Sequence, residues 1–214
     1  MTASRPVLYY ASGTASTIVH WLLLELGLEH ELRLVDLATG EHKQPDYLRL
    51  NPAGVVPTLL IDGEPVFEAA AIVLQLADLH PQAGLCPAIG TAERARYYQW
   101  TLHLANSLQP AFRMWFYPAE GAGEASAEAT KAHARLRIEA VWERLDTELA
   151  GRGPYLLGEG VSALDFYATI LMRWSRNMPR PATQWPHLHA LAARMKARPS
   201  FKTLYEREGL TDWA

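Results

Sequence analysis

The spacing of apolar side chains changes period twice near the N-terminus, and that double change restricts the fold more than any other feature. Val7 to Tyr10 is a short apolar and aromatic run of strand length. After the polar break ASGTAST, Ile18, Leu22 and Leu26 recur every four residues with Val19 and Leu23 beside them. That is the stripe of an amphipathic helix, and Gly27 supplies its stop. Between residues 30 and 36 the period falls to two, Leu32 and Leu34 alternating with Glu31 and Arg33, which predicts a half-buried strand. Two short strands joined through a helix pair parallel, because the helix carries the chain back along the sheet. The chain should therefore open with a parallel β-α-β unit.

The next segment predicts a different pairing. A polar stretch leads to a short helical turn near Tyr47 to Leu50, broken by Asn51-Pro52. Thr58 to Ile61 and Pro65 to Phe67 then flank IDGE, and Asp-Gly between two apolar runs is the strongest short hairpin signal. Pro57 stands at the mouth of that hairpin, where a residue without an N–H is tolerated. A helix starts at Glu68, with Ile72, Leu74 and Leu76 as core positions, and stops near His80-Pro81. Residues 81–90, PQAGLCPAIG, read as a linker.

Everything beyond is helical. Tyr97, Tyr98, Trp100, Leu104 and Leu108 mark a helix from Ala92 to about Phe116 that Pro110 should kink. Leu136, Val141, Leu145 and Leu149 mark a second. Ser162 to Trp174, Pro186 to Lys196 and a short helix from Arg-Pro-Ser at 198–200 complete the set. The expected fold class is an α/β domain over 1–80, a linker over 81–90 and an all-α domain over 91–214.

Composition narrows the function. The chain has 214 residues, 49% of them apolar, a net charge of -3 and no basic stripe, which excludes nucleic acid as the expected partner. One cysteine, Cys86, excludes an internal disulfide framework and a CxxC redox pair, and reads as a small buried hydrophobe. MTASRPVLYYAS lacks the apolar region of a signal peptide, and no apolar run approaches the roughly 20 residues of a membrane helix. A cytoplasmic chain without a membrane partner is expected. His187-x-His189 is too sparse for a metal site, so none is expected. GRGPYLLGEG lacks the preceding strand of a phosphate loop.

Several ordered stretches together are more specific than any one. GEHKQPDYLRLNPAGVVPTLLIDGEPVFEAAAIVLQLAD resembles the glutathione-site region of the glutathione S-transferases, YLLGEGVSALDFYATIL resembles their helix-capping segment, and WPHLHALAARMKARPSFKTL has the look of their C-terminal helices. The capping segment has its own physics: Ser162 is a good N-cap, Asp165 stands three residues on, and Val161 with Phe166 forms a hydrophobic staple. The resemblance covers essentially the whole chain. It implies a thioredoxin-like N-terminal domain, an all-helical C-terminal domain, a homodimer and a detoxifying transferase with glutathione as co-substrate. The reaction it implies is conjugation of the glutathione thiol to a small apolar electrophile, or a related isomerisation, dehalogenation or ether cleavage. The alternative is a non-catalytic binding or interaction protein on the same fold.

Such an enzyme must hold an anionic tripeptide and lower a thiol pKa from near 8.5, which needs hydrogen-bond donors aimed at sulfur. Tyr10, Ser12, Thr14, Ser16 and Thr17 crowd the break after the first strand. Read alone, Ser12, Thr14, Ser16 and Thr17 are N-cap candidates. The resemblance puts Ser16 first as the thiol's partner, then Ser12, then Tyr10. An ungapped comparison with the bacterial beta class puts Ala15 where that class has its cysteine, so mixed-disulfide chemistry is not expected. A phi-like or theta-like register favours the hydroxyl nearer Ser12. The resemblance further implies that Pro57 is cis, that Val56 pairs with the cysteinyl part, that His42 and Lys43 lie beside the glycyl carboxylate, and that Glu68 and Ala69 meet the γ-glutamyl end. The family reads Glu-Ser at that last pair, so Ala69 is a departure that removes one hydrogen bond to a charged group. Arg113, Trp115 and Phe116 fall where the family has its acceptor-substrate pocket.

Overall fold

A computed structural model of the chain describes residues 5–121 and 123–213. The described chain divides into two compact units, one of residues 5–83 with 196–213 and one of residues 84–195.

The first unit carries a four-stranded sheet of β1 (Val7–Tyr10), β2 (Glu31–Leu34), β3 (Thr58–Ile61) and β4 (Glu64–Phe67) in the order β2-β1-β3-β4. β1 and β2 are parallel, as the intervening helix α1 (Ser16–Glu25) requires. β3 runs antiparallel to both β1 and β4. The β3–β4 turn is made by Asp62 and Gly63 with φ of 50° and 87°, the two positive values that a two-residue hairpin turn needs and that Gly63 meets without a steric cost. α2 (Pro45–Leu48) precedes the hairpin and α3 (Ala69–Leu79) follows it. Ile18, Val19, Leu22 and Leu23 from α1 join Leu8, Leu59, Ile72, Val73 and Leu76 in the core.

Leu34 and Leu74 are among the side chains that depart from their expected burial here. Leu34 is 62% exposed, because β2 is the edge strand and its pattern is mostly solvent-facing. Leu74 is only half-buried, and Val73 and Ala77 take the core positions of α3 beside Ile72 and Leu76. The last helix, α9 (Pro199–Glu208), packs on α1 within this unit. Trp21 lies edge-on to Phe201 with ring centroids 5.1 Å apart, and its Nε1 donates to Ser200 Oγ at 2.9 Å. By its contacts this helix groups with the first unit.

The second unit contains α4 (Ala92–His103), α5 (Gln109–Phe116), α6 (Ala127–Arg152), α7 (Ala163–Trp174) and all but the last residue of α8 (Pro186–Lys196). α4 runs into α5 through one π-helical turn, Leu104–Leu108, and Pro110 sits in the first turn of α5. The expected kink is thus a widened turn, which accommodates a ring that cannot donate to the preceding carbonyls. Leu136 is 67% exposed; α6 buries Ala134, Ile138, Val141, Trp142, Leu145 and Leu149 instead. At the start of α7, Asp165 is fully buried and accepts from the N–H groups of Leu156 at 2.9 Å and Ser162 at 2.8 Å and from Ser162 Oγ at 2.8 Å. Cys86 is half-buried.

Candidate active site at the end of the first strand

The sheet register decides which loops meet. Tyr9 lies opposite Thr58 and Thr58 opposite Phe67, while Tyr10 pairs with Leu34. Residues 11–16 after β1, Val56-Pro57 before β3, Glu68-Ala69 after β4 and the segment after β2 therefore leave the sheet at the same end of its strands. Val35 N donates to Tyr10 O at 2.8 Å and holds the fourth of these in place. Segments far apart in sequence are gathered by strand pairing alone.

The loop after β1 is internally bonded. Ser16 Oγ donates to Ala11 O at 3.0 Å, accepts from Ala11 N at 3.1 Å and lies 2.8 Å from Thr14 Oγ1. Thr14 Oγ1 donates to the same Ala11 carbonyl at 2.7 Å. Ser16 is wholly buried. The expectation that Ser16 is first in line for the thiol meets this commitment: its hydroxyl already spends its proton inside the loop. The N-cap residue is Ala15, in helical geometry without a side-chain bond, and the one hydroxyl among these that meets the first N–H of α1 is Thr14 Oγ1, which accepts from Ser16 N at 3.3 Å. Ser12 is exposed, and its hydroxyl has no hydrogen-bond partner among the described residues. Tyr10 packs against the His20 ring, and burial, with a smaller push from the Glu208 carboxylate, raises its phenol above the ordinary value. A phenol that resists ionisation is a poorer source of thiolate-stabilising charge.

Glu208, from α9, closes the loop from behind. Its buried carboxylate accepts from Gly13 N at 3.1 Å, Thr17 Oγ1 at 2.8 Å and His20 Nδ1 at 2.9 Å. No sequence signal pointed to it, since it lies 195 residues from Gly13.

At the facing loop the Val56–Pro57 peptide is cis. Lys43 Nζ donates to Gly54 O at 2.7 Å, so this expected ligand cation is held by the protein's own backbone. Gly54 has φ of 59°, and a Cβ there would stand 2.9 Å from both His42 O and Lys43 Nζ, so only glycine fits. His42 is half-buried, and its Nδ1 has no partner among the described residues. Tyr47 Oη and Asn51 Nδ2 both donate to Val55 O, at 2.7 and 2.8 Å. The sequence showed Tyr47 only as a helical residue and Asn51 only as a breaker.

Glu68 is exposed and carries φ of 71° and ψ of 109°, a sparsely populated backbone region for a residue with a side chain. Such strain clusters at ligand clamps. Ala69, the first residue of α3, is buried, and the opening N–H groups of that helix have no intrahelical acceptor.

In the second unit Arg113 forms a two-pronged ion pair with Glu120, its Nε 2.7 Å from Oε2, and stacks at 4.2 Å on Tyr117. Lys131 Nζ lies 4.8 Å from the Trp115 ring. Phe116 is 48% exposed and its ring stacks on Phe112 at 5.8 Å with Trp174 edge-on at 6.4 Å. Among the described residues no cluster of His, Cys, Asp or Glu could hold a metal ion, and no helix is long and apolar enough to cross a membrane.

A mixed four-stranded sheet of this order with a cis-proline before β3, followed by a helical portion, defines a thioredoxin-like domain joined to an all-helical one. Residues 14–79 match the glutathione S-transferase N-terminal domain and residues 106–208 the C-terminal domain. Glutathione S-transferase GST-4.5 of Xanthomonas campestris pv. campestris is 34% identical over 95% of this chain and 98% of its own. A glutathione transferase from Methylococcus capsulatus superposes with a TM-score of 0.86 at 33% identity, covering 96% of this chain and all of the other. A sphingomonad glutathione S-transferase complexed with glutathione gives 0.82 at 32%, again covering 96% of this chain and all of its own. The chain belongs to the glutathione S-transferase family and is an enzyme of that family.

Proposed function

We propose that the protein conjugates the thiol of reduced glutathione to a small apolar electrophile, with isomerisation, dehalogenation or ether cleavage as related outcomes of the same thiolate. The observation that carries this is the convergence, by strand register, of the Tyr10–Ser16 loop, Val56-Pro57 and Glu68-Ala69 at one end of the sheet. Each offers what one part of the tripeptide needs. The free N–H groups opening α3 suit the γ-glutamyl carboxylate, and the exposed Glu68 carboxylate suits its amino group. The backbone of Val56 suits the cysteinyl part. His42 and Lys43 suit the glycyl carboxylate, Lys43 with what remains of its three donors.

For the sulfur, the observed bonding shifts the assignment from Ser16 to Ser12. Ser12 has an exposed hydroxyl with no partner among the described residues, whereas Ser16 shapes the loop that carries it. Tyr10 is third, its phenol pushed up. A thiolate so held attacks by proximity and orientation once an electrophile is bound. The exposed Phe116 face supports an apolar acceptor, with Trp115 and Arg113 nearby in sequence. A homodimer acting in cytoplasmic detoxification is part of the same reading, supported by the family.

Titration of thiolate absorbance with glutathione and saturating protein tests the reading. The expected midpoint lies well below the free-thiol value of about 8.5, and Ser12→Ala moves it back while Ser16→Ala lowers thermal stability. A midpoint equal to that of free glutathione refutes conjugation. Ala69, which lacks the family's hydroxyl, would then favour a non-catalytic glutathione-fold binding protein.

A further inference from the structure

Three successive carbonyls ahead of Pro57 are held from one side. Lys43 Nζ reaches Ala53 O at 3.4 Å and Gly54 O at 2.7 Å, and Val55 O takes the two donors of Tyr47 and Asn51. Tyr47 and Asn51 are themselves fixed. Asn51 is fully buried, its Oδ1 accepts from Ala53 N at 3.0 Å, and its own C=O accepts from Gly54 N at 2.9 Å. Tyr47 is buried, and its single proton goes to Val55 O, so Thr58 Oγ1, 2.9 Å away, donates to it. Burial raises the Tyr47 phenol above its ordinary value, which keeps that proton in place.

A peptide unit is planar and trans, so its C=O and N–H point in opposite directions. Aiming Val55 O at Tyr47 and Asn51 therefore aims Val56 N–H directly away from them. A carbonyl has two lone pairs, and both on Val55 are taken. A ligand docking here must use the next backbone groups, and among the described residues Val56 N–H and C=O have no hydrogen-bond partner.

We propose that Tyr47 and Asn51 are positioning residues of the glutathione site: by holding Val55 O from behind, they present Val56 N–H to the cysteinyl carbonyl of the ligand. This rests on the glutathione reading above. Neither side chain touches the tripeptide; both act through one peptide unit.

The test is a binding cycle by calorimetry. Reduced glutathione is compared with an analogue whose cysteinyl–glycine amide is a trans-alkene, which lacks the carbonyl that Val56 N–H would meet and also the glycyl N–H, a loss common to every variant in the cycle. Wild-type protein should prefer glutathione by roughly three- to tenfold for that one hydrogen bond. In Asn51→Ala and Tyr47→Phe that preference should shrink toward unity, with the analogue's own affinity little changed. A merely structural role lowers the thermal midpoint or both affinities together and leaves the preference intact, and that result overturns the proposal. Absence of any preference in the wild type also overturns it. Failure of the wild type to bind glutathione at all overturns the site reading itself, which separates the two. Should Asn51→Ala not fold, Tyr47→Phe deletes one oxygen with the ring in place and decides alone.

Discussion

Asp165→Asn should remove a pH dependence of stability that the wild type carries. The Asp165 carboxyl is completely buried, and burial pushes its pKa from 3.8 up to about 6 against the pull of the Leu156 and Ser162 hydrogen bonds. The folded chain therefore holds this proton more tightly than the unfolded chain. Its contribution is fully present below about pH 4 and is lost as pH rises through about 6. About two pKa units at roughly 1.4 kcal/mol each give close to 3 kcal/mol in all, of which about 2 kcal/mol is expressed at pH 4.5 and almost none at pH 7.5. Asparagine never ionises. It keeps one oxygen for Leu156 N–H but turns an amide toward Ser162 N–H, at a cost of about 1–3 kcal/mol for the orphaned donor. Urea unfolding followed by circular dichroism, for both proteins at both pH values, isolates the effect because every other group titrates alike in the two. The wild-type advantage should be about 2 kcal/mol larger at pH 4.5 than at pH 7.5. An advantage that does not change with pH would refute the reasoning and would mean that the three donors balance burial; one that grows toward pH 7.5 would mean that they outweigh it.

Three further changes probe the site. Ala69→Ser restores a hydroxyl at the start of α3, and the KM for glutathione should fall by about tenfold or more, the worth of a hydrogen bond to a charged group; an unchanged KM would show that the γ-glutamyl carboxylate binds elsewhere. Tyr10→Phe should leave the thiolate titration of bound glutathione where it is, since the phenol is raised by burial and by Glu208 and has no charge to offer. Glu208→Gln should lower stability by about 1–3 kcal/mol, because it turns an amide toward Gly13 N–H or His20 and leaves a buried donor without its acceptor; equal urea midpoints for the two proteins would contradict that.

The secondary-structure elements and most of the fold were legible in the order of the residues. The apolar run of Val7 to Tyr10 and the period change from four to two after it marked the β-α-β unit, and Asp62-Gly63 marked the hairpin, because both are local properties of backbone geometry. The capping of α7 by Ser162 and Asp165 was legible for the same reason. Tertiary structure decided the rest. Whether a half-apolar stripe faces the core depends on what lies opposite, so Leu34 and Leu136 ended exposed while Ile138 and Val73 went inside. The C-terminal helix has an ordinary amphipathic sequence, and only packing showed that it belongs against α1, where Glu208 reaches Gly13, Thr17 and His20. The hydroxyls after β1 are equivalent as letters; their bonding separated Ser16, whose proton is spent on Ala11, from Ser12, whose proton is not. Hydrogen bonds are satisfied by neighbours in space, and a linear sequence does not say which neighbours those will be.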